Sequence, residues 1–573
     1  MLKALSTFRP YLTASVLLAA VGAGGCGQES SDNEPELPAV DLQTTPYPYH
    51  PDTREPPTND LDWTVCPLSS GDTTFASGVA ECASLDVPVR RDSTTDGQTL
   101  PLFVKRYRPV SAPRGQLWLI SGGPGSSGAD FEAVVDLFLS LAPDLELYMP
   151  DHRGTGRSDR LSCPDEEDPG SQSGSAIVGS EWQSCSSSIT EQWGPDLAGF
   201  STTEAARDLG ELIDRTRHPG DEIYLYGVSY GTYLVERYLQ LYPDQATGVV
   251  LDSICAPGSC DLLLGYDQNF NATAQSLFQL CADDPSCSSQ FDADPWSAAV
   301  TALSQLDTGS CPSLGWDRTT ARNVLGIMLI YARLRDYMPA VVKRLTRCSD
   351  NDVAALSHLV GVLSSLAGDD PFFSQALSTN IALSELSVSP KPTADEVRAN
   401  VADLIASIDA GPTYADALDV WPLYEPDGYF GQYAATSVPM LMLNGDLDPQ
   451  TPLRVAQPMG DHFQGLDQNF IVIPYSPHTT LTQSYVDEAG NTCGADLAGQ
   501  FFSDPTATLN LTCLNEVEPP NFWGYPDLTP VVFQTESAWA DEAPIPTANG
   551  STSAQLRRLR SQVLGASGIG RHP

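Results

Sequence analysis

Basic side chains are scarce in this sequence. The chain of 573 residues has only 30 Lys and Arg residues but 73 Asp and Glu residues, which gives a formal net charge of −43. Nucleic-acid binding requires a basic surface that neutralises phosphates, and docking on anionic lipid requires clusters of Lys and Arg. The composition therefore argues against both kinds of partner. It predicts a soluble protein with a strongly hydrated, acidic surface.

Metal-binding motifs and internal repeats are also missing. The sequence has no CxxC motif and no histidine beside a cysteine pair, so the cysteines do not predict a metal site. The apolar run YLTASVLLAAVGAGG at 11–25 is too short to span a bilayer comfortably. Because Lys3 and Arg9 precede it and small residues end it, the run predicts a signal peptide over 1–25.

Cys26 follows this run directly in VGAGGCG, which resembles a bacterial lipoprotein processing site. We therefore expect the mature protein to begin at lipidated Cys26 and to touch the membrane only through that anchor. The alternative is a plain secretory signal that is cleaved nearby. Both interpretations predict an exported bacterial protein, either a cell-envelope lipoprotein or a secreted protein, and we expect a monomer.

The cysteine count supports an oxidising compartment. The chain has 13 cysteines, an awkward odd number for an exported protein. If Cys26 carries lipid, the other twelve can all form disulfides. Their spacing does not fix the connectivity but suggests local pairs: Cys66–Cys82, Cys163–Cys185, Cys255–Cys260, Cys281–Cys287, Cys311–Cys348 and Cys493–Cys513.

Strand-like runs recur along the chain, with helical patterns between several of them. The runs lie at 100–107, 116–121, 145–151, 222–227, 248–253, 439–445 and 469–475. Strands that alternate with helices predict an α/β fold, in which helices flank a mostly parallel central sheet. Between 256 and 430 the alternation lapses and the pattern becomes helix-rich. This segment predicts an inserted, mainly helical cap domain over the carboxyl ends of the strands.

These patterns divide the chain into six segments. The polar, proline-rich stretch after Cys26 has no periodicity, which is typical of a disordered tether. The segments are a signal peptide at 1–25, an acidic tether at 26–60, the first part of the core at 61–255, the cap at 256–430, the second part of the core at 431–515, and a C-terminal extension at 516–573 whose end we expect to be disordered.

The stretch YLYGVSYGTYL at 224–234 carries the main functional signal. A strand-like run breaks at GVSYG and then resumes as a helical pattern. A serine at a strand-to-helix junction, with glycine two residues on either side, has the form of a nucleophile elbow. Because G-x-S-x-G also occurs by chance in ordinary turns, Ser229 is a candidate nucleophile only if the chain supplies its partners.

A base and an orienting acid are expected after the serine, in the order Ser, Asp or Glu, His. Of the three histidines beyond the strand at 439–445, only His478 directly follows the last predicted strand, in FIVIPYSPHTTL. Asp446 and Asp448 both follow the strand at 439–445. We favour Asp448 because a residue further round the turn can reach across to the last loop.

Two backbone N–H groups are needed to stabilise the oxyanion of an acyl-transfer intermediate. One is the N–H of Tyr230, directly after the candidate nucleophile. The other should come from the turn SGGPGSSG at 121–128. Glycine lets the backbone approach a substrate, and Pro124 has no N–H to donate. Gly123 is therefore the expected second donor.

These motifs resemble a known family. The stretches SGGPGSSG, DHRGTGRSD, TTEAARDL, GVSYGTYL, GVVLDS and NGDLDPQTPL are similar, in this order over roughly residues 85–515, to the prolyl and tripeptidyl aminopeptidase family of α/β-hydrolases. The end of the chain resembles the C-terminal segment of the secreted tripeptidyl aminopeptidase branch. The resemblance implies an α/β-hydrolase fold, with Ser229 as nucleophile, Asp448 as acid and His478 as base. This chemistry requires no metal and no organic cofactor.

The resemblance also implies an activity. It predicts a serine exopeptidase that releases a short unit, a tripeptide or a proline-type unit, from peptides with a free amino terminus. Two positions depart from the family pattern. Ser121 stands where many members have histidine, which makes the prolyl-specific branch the less close match, and Thr479 stands where glycine often follows the catalytic histidine.

The sequence does not identify the residue that would bind the amino group of the substrate. An aminopeptidase needs a cap carboxylate that pairs with the substrate ammonium. Acidic residues are abundant between 256 and 430, and Glu425 and Asp427 in LYEPDGYF are only candidates. Two other functions stay open. A carboxylesterase uses the same triad without an ammonium anchor, and a catalytically dead surface binding protein would usually have lost a triad member.

Overall fold

The computed structural model describes residues 48–70, 78–91, 97–168, 170–171, 176–366 and 370–545. The expected signal peptide at 1–25, the expected lipidation site Cys26 and most of the tether therefore lie outside the described residues. The end of the C-terminal extension lies outside them too. No helix within the described ranges is both long enough and apolar enough to cross a membrane.

A single sheet organises the described part of the chain. Its nine strands are β1 (Thr64–Pro67), β2 (Val79–Pro88), β3 (Thr99–Tyr107), β4 (Gly115–Ile120), β5 (Leu145–Asp151), β6 (Glu222–Val228), β7 (Gly248–Asp252), β8 (Met440–Gly445) and β9 (Gln468–Ile473). Their spatial order is β1-β2-β3-β5-β4-β6-β7-β8-β9. The neighbours from β5 to β9 pair in parallel, whereas β1, β2, β3 and β5 pair antiparallel. This mostly parallel sheet confirms the predicted α/β fold.

Seven of these strands lie where the sequence predicts strands. The sequence analysis missed β1 and β2, which form the antiparallel edge of the sheet. Residues of β1 are mostly exposed, and β2 alternates buried with exposed residues over its second half. An edge strand that is buried on one face lacks the continuous apolar run by which the central parallel strands are found.

Helices cover both faces of the sheet. Those outside the long insertion are α1 (Val135–Leu141), α2 (Glu181–Trp193), α3 (Thr202–Thr216), α4 (Tyr230–Leu241), α15 (Leu453–His462), α16 (Thr480–Gln483), α17 (Cys493–Ser503) and α18 (Thr529–Phe533). Successive side chains of β6 lie on opposite faces of the sheet. On one face, Leu225 packs in the same buried cluster as Val235 of α4. On the opposite face, the Tyr226 ring lies 5.1 Å from the Phe138 ring of α1. The central strands are thus buried on both sides.

The insertion between β7 and β8 is helical. It contains α5 (Gly265–Asp283), α6 (Pro285–Ser288), α7 (Pro295–Leu306), α8 (Arg318–Ile330), α9 (Ala332–Arg335), α10 (Met338–Arg347), α11 (Asp350–Leu366), α12 (Gln375–Ser384), α13 (Ala394–Asn400) and α14 (Ala410–Ala415). Buried residues of these helices, such as Leu277, Val324 and Leu359, belong to one cluster that is continuous with the α4 face of the sheet. The insertion therefore packs directly on the core.

The C-terminal extension packs against this insertion. Within residues 521–541, which we call the C-terminal strap, the Thr529 hydroxyl lies 2.9 Å from the Tyr337 hydroxyl. The buried guanidinium of Arg344 donates from Nε to the carbonyl of Ala538 at 2.7 Å. The strap thus connects the end of the core to helices α10 and α11, a contact that the sequence analysis did not predict.

All six disulfides suggested by the cysteine spacing are present. The pairs are Cys66–Cys82, Cys163–Cys185, Cys255–Cys260, Cys281–Cys287, Cys311–Cys348 and Cys493–Cys513. Each closes a loop of 5 to 37 residues. They are therefore local crosslinks within the core and within the insertion.

Candidate active site

Ser229 occupies a tight turn between β6 and α4. Its backbone angles are φ 57° and ψ −126°, a conformation that residues with side chains rarely adopt and that concentrates at functional sites. The turn is held from both sides. The Ser229 N–H donates to the carbonyl of Asp252 at 3.0 Å, and the Thr232 hydroxyl donates to the carbonyl of Ser229 at 2.6 Å.

The two glycines that flank this serine are required by crowding. A Cβ atom on Gly231 would lie 2.4 Å from the carbonyl oxygen of Ile120, and one on Gly227 would lie 2.8 Å from the carbonyl oxygen of Gly231. Contacts this short with backbone atoms cannot be relieved by a side-chain movement. The close packing of β6, α4 and the end of β4 therefore explains the G-x-S-x-G pattern.

The glycine-rich turn after β4 lies against the serine. A Cβ atom on Gly122 would be 2.9 Å from Cβ of Ser229 and 3.4 Å from its Oγ. Gly123 has φ +104°, in the region that favours glycine. The structure thus brings the turn that carries the expected donor Gly123 to the same place as Ser229 and the following residue, Tyr230.

Ser121, one of the two departures from the family pattern that the sequence resembles, begins this turn. It is buried, and its hydroxyl donates to Oδ2 of Asp130 at 2.8 Å. Asp130 belongs to the 3₁₀ helix Gly128–Val134 that follows the turn. The Ser121 side chain therefore connects the two ends of the turn.

Asp448 and His478 form a buried pair. Nδ1 of His478 lies 2.8 Å from Oδ2 and 3.0 Å from Oδ1 of Asp448, and both side chains are almost completely buried. Asp448 also accepts hydrogen bonds from the N–H groups of Gln450 and Thr451 and from the Thr451 hydroxyl, at 2.8, 2.9 and 2.9 Å. A carboxylate with this many donors is suited to fix the orientation of an imidazole.

The electrostatics of the pair keep the acid ionised. Burial alone would raise the pKa of Asp448, but the charge and hydrogen bond of His478 and the hydrogen bonds of Thr451 lower the pKa below its ordinary value. Asp446, the other acid considered from the sequence, is exposed. Among the described residues, the carboxylate that His478 contacts is that of Asp448.

Asp252 and Ser253, at the end of β7, hold the loop that carries His478. The N–H and hydroxyl of Thr480 donate to Oδ1 of Asp252 at 2.8 and 2.7 Å, and the Thr479 N–H donates to the Ser253 hydroxyl at 2.7 Å. Since the Asp252 carbonyl also accepts from Ser229, one residue connects the serine turn to the histidine loop. The sequence analysis used GVVLDS as a strand and as part of the family resemblance but gave its polar residues no role, although two polar residues at the end of a buried strand were a usable signal.

Thr479, directly after His478, has a backbone conformation that suits glycine better than threonine. Its φ is +63°, in the left-handed region that glycine enters without strain and that a β-branched residue rarely occupies. The amide of Gln483 stabilises the same loop from the other side, because its Nε2 donates to the carbonyl of His478 at 2.8 Å. Its Oε1 accepts from the N–H of Ala332 in the insertion at 2.9 Å.

The insertion reaches the serine turn through Glu385. This buried carboxylate accepts from the Thr202 N–H at 3.0 Å and from the hydroxyls of Tyr233 and Tyr424 at 3.1 and 2.6 Å. The Thr202 hydroxyl in turn lies 2.9 Å from the hydroxyl of Tyr230. A chain of hydrogen bonds therefore links the insertion to the residue after Ser229.

The two candidate anchors of the substrate amine lie on the surface. Glu425 and Asp427 are both exposed, and Oδ1 of Asp427 lies 3.7 Å from Nη1 of Arg237. The described contacts place neither carboxylate beside Ser229. Within the same residues, no group of three or more His, Cys, Asp and Glu side chains is arranged to hold a metal ion.

Comparisons with known proteins agree with this architecture. A family model described as the alpha/beta hydrolase fold matches residues 117–320, and one described as TAP-like protein matches residues 408–513. The serine protease Hip1 of Mycobacterium tuberculosis is 27% identical over 270 residues, which are 43% of this chain and 49% of that protein. A tripeptidyl aminopeptidase of Streptomyces lividans is 28% identical over 214 residues, 34% of this chain and 38% of that protein. The chain thus spans about half the length of the first of these relatives, and less of the second.

Proposed function

We propose that this protein, which has an α/β-hydrolase fold, is an exported serine peptidase that releases short units from the free amino terminus of peptides. One observation carries the proposal: the serine of a strained elbow lies against a glycine-rich turn, on a sheet whose last loops hold the buried Asp448–His478 pair. The names of the two relatives, a serine protease and a tripeptidyl aminopeptidase, support the peptide substrate.

The proposed mechanism assigns each of these residues a step. Ser229 attacks the carbonyl carbon of the scissile peptide while His478 takes its proton, and Asp448 orients the imidazole through Nδ1 and stabilises its charged form. The N–H groups of Gly123 and Tyr230 stabilise the oxyanion. His478 then gives its proton to the leaving amine, which leaves an acyl-enzyme on Ser229. A water molecule, deprotonated by His478, releases the short amino-terminal unit as an acid.

The insertion supplies the exopeptidase character in this proposal. It lies between β7 and β8, and Glu385 fixes it to α3 and α4 beside the serine turn. A cap in this place leaves room for a short amino-terminal segment and excludes blocked or longer ones. Its acidic side chains attract the substrate ammonium. The six disulfides support an exported location, because such bonds persist in oxidising compartments.

Substrate comparison tests the peptidase proposal. Unblocked aminoacyl and tripeptidyl arylamides should be cleaved efficiently, and acetylation of their amino groups should lower kcat/KM on the order of a hundredfold or more, because one ion pair is lost. Short acyl esters are assayed in parallel. Equal rates on free and acetylated arylamides, or hydrolysis of esters alone, would instead support a carboxylesterase.

Covalent labelling separates an enzyme from an inactive binding protein. A fluorophosphonate probe should modify Ser229 of the folded protein, and the modified peptide is identified by mass spectrometry. S229A is the matched control, since it removes one oxygen atom and should keep the thermal stability of the parent. An unlabelled parent protein would contradict the serine hydrolase proposal altogether.

A further inference from the structure

Helix α5 of the insertion presents a polar face to the loop that carries the candidate acid. This loop, residues 446–452, connects β8 to α15, and we call it the acid loop. Tyr266, Asn269 and Thr273 lie at positions i, i+3 and i+7 of α5, a spacing that places them on one face of the helix. All three residues are buried, although Asn and Thr are mostly exposed in folded proteins. This face of α5 therefore packs against protein and not against water.

Each of these three side chains donates a hydrogen bond to the acid loop. The Thr273 hydroxyl donates to the carbonyl of Asp448 at 3.2 Å. Nδ2 of Asn269 donates to the carbonyl of Gln450 at 3.2 Å, and the Tyr266 hydroxyl donates to Oε1 of Gln450 at 2.6 Å. Two of the three acceptors are backbone carbonyls, at the acid itself and two residues beyond it. Helix α5 therefore fixes the backbone of the loop at the position of the acid.

Gln450 connects the Tyr266 hydroxyl to the carboxylate of Asp448. The Gln450 N–H donates to Oδ1 of Asp448 at 2.8 Å. Nε2 of Gln450 has no acceptor in the part of the chain that the structure describes, so the Tyr266 hydroxyl holds this side chain through its other end. Burial raises the pKa of Tyr266 well above its ordinary value, which keeps the phenol a donor. Loss of that hydroxyl should release Gln450 and, with it, one donor that orients the carboxylate toward His478.

Asp267 fixes α5 to another part of the insertion. Its buried carboxylate accepts from the Ser407 hydroxyl at 2.7 Å and from the N–H groups of Ala410 and Gly411 at 3.2 and 2.8 Å. The helix is thus bonded both to residues 407–411 and to the acid loop. A helix with bonds on two sides has little freedom to shift, so it provides a rigid support for the acid.

We propose that Tyr266 and Thr273 are positioning residues, through which the insertion holds Asp448 in line with His478. The inference rests on the proposed function, in which Asp448 is the acid of the triad. It gives the insertion a part in the chemical step besides the exclusion of longer substrates. A misplacement of about 1 Å in a catalytic group can lower the rate on the order of a hundredfold, so the support of the acid loop should be visible in the kinetics.

Two variants of the full mature chain test the proposal, Y266F and T273V, each of which removes one hydroxyl donor. We expect kcat on an unblocked arylamide to fall about five- to tenfold or more while KM stays within about twofold, because the alignment of the triad changes and the substrate contacts do not. T273S keeps the hydroxyl and should restore kcat to within about twofold of the parent. The assays are run at about pH 8, above the pKa of about 6 to which burial raises Asp267, so that this neighbour of Tyr266 has the same charge in all variants.

A second measurement needs no turnover. The proton on Nδ1 of His478 lies in a short hydrogen bond to the Asp448 carboxylate, at 2.8 Å between Nδ1 and Oδ2, and such a bond deshields the proton strongly. Its ¹H NMR resonance is assigned by its absence in H478Q. In Y266F and T273V this resonance should move upfield and exchange faster with water, because the carboxylate is less firmly oriented. A residue that only stabilises the fold would not change this signal in the folded protein.

Y337F is the matched control, because it also removes a buried tyrosine hydroxyl of the insertion. That hydroxyl accepts from the Tyr525 N–H and lies beside the Thr529 hydroxyl, both at 2.9 Å and both in the C-terminal strap. Y337F should lower the thermal midpoint but keep the kcat and the Nδ1 proton resonance of the parent.

The outcomes separate this proposal from the proposed function. Parent values of kcat and of the resonance in both Y266F and T273V would overturn the positioning role. A rise in KM alone, or an equal loss of kcat in Y337F, would overturn it as well. A parent protein that cleaves no substrate, while Y266F still moves the resonance, would contradict the proposed function and support the role of α5 in holding the Asp448–His478 pair.

Discussion

Oδ1 of Asp252 accepts hydrogen bonds from both the N–H and the hydroxyl of Thr480, at 2.8 and 2.7 Å. Its Oδ2 accepts from the Leu481 N–H and from the Tyr226 hydroxyl, both at 2.9 Å. Every one of these partners donates, so both oxygens must be acceptors. This carboxylate therefore fixes the residues after His478 to the strands beside the serine turn.

Replacement of Asp252 by asparagine should slow catalysis without weakening substrate binding. The amide nitrogen of D252N would face donors, which costs about 1–3 kcal/mol in stability and displaces the histidine loop. We expect kcat to fall at least about tenfold with little change in KM, because only the step that uses His478 is affected. D446N serves as the control. A rise in KM with unchanged kcat would contradict the positioning role.

Asp448 and Asp446 should respond very differently to the same change. D448N should lower kcat by about 10³–10⁴-fold, since the amide favours the wrong imidazole tautomer and leaves the imidazolium unpaired. D446N should stay within a few-fold of the parent, because Asp446 is exposed. Steady-state kinetics on one arylamide compare the pair. If D446N proves the more damaging change, Asp448 is not the acid.

The elbow glycine should tolerate no side chain. A methyl group at Gly231 would lie 2.4 Å from the carbonyl oxygen of Ile120, so G231A should destabilise the protein by about 1–3 kcal/mol and abolish activity. Gly361 in α11 has open space around it, and G361A should raise stability by about 0.5–1 kcal/mol. Chemical denaturation of both variants checks the contrast. Equal effects would mean that crowding at the elbow is not the cause.

Glu236 should make the folded state less stable as the pH rises. Burial raises its pKa from 4.5 to about 7, even though Gln240 and the Ala434 N–H donate to it. Folding therefore favours the protonated carboxyl. Its contribution is fully present below about pH 4.5, falls as the pH rises to 7 and is constant above.

E236Q removes this titration. Relative to the parent, the variant should gain about 1–3 kcal/mol in the free energy of unfolding between about pH 4.5 and 8. Urea denaturation of both proteins across this range measures the difference. Parallel pH profiles would show that Glu236 titrates normally in the folded protein.

Intact mass of the mature protein tests the expected anchor. We expect a chain that begins at Cys26 and carries lipid, with the twelve remaining cysteines paired. C26S should yield a protein without lipid and with the same activity on soluble arylamides. An unacylated amino terminus elsewhere would exclude the lipoprotein interpretation and leave the secreted one.

The sequence predicts the elements whose causes are local. The serine elbow, the glycine-rich turn and the central strands each depend on a few consecutive residues, and the disulfide pairs are close in sequence. Of the two acids in one turn, the sequence favoured Asp448 over Asp446. The structure adds the contact itself, between Asp448 and a histidine thirty residues further along the chain.

The sequence did not predict features that depend on contacts between residues far apart in the chain. The role of Asp252 depends on hydrogen bonds from Tyr226 and Thr480, which lie on other elements. The role of Glu385 likewise depends on its donors, which are Thr202, Tyr233 and Tyr424. The buried polar character of these residues contradicts their ordinary place on the surface. No periodicity marks such residues, since their partners lie on other elements.

The C-terminal strap sets an order on folding after synthesis. Arg344 donates to the carbonyls of Ser537 and Ala538, which lie 193 and 194 residues further along the chain. Before those carbonyls are synthesised, the buried guanidinium has its contact with Asp352 but lacks these two acceptors. We therefore expect helices α10 and α11 to complete their packing only after residues 537 and 538 have been synthesised. Because contacts between such distant residues form slowly, a chain released early, near residue 520, would expose these two helices to proteases while the central sheet is already formed.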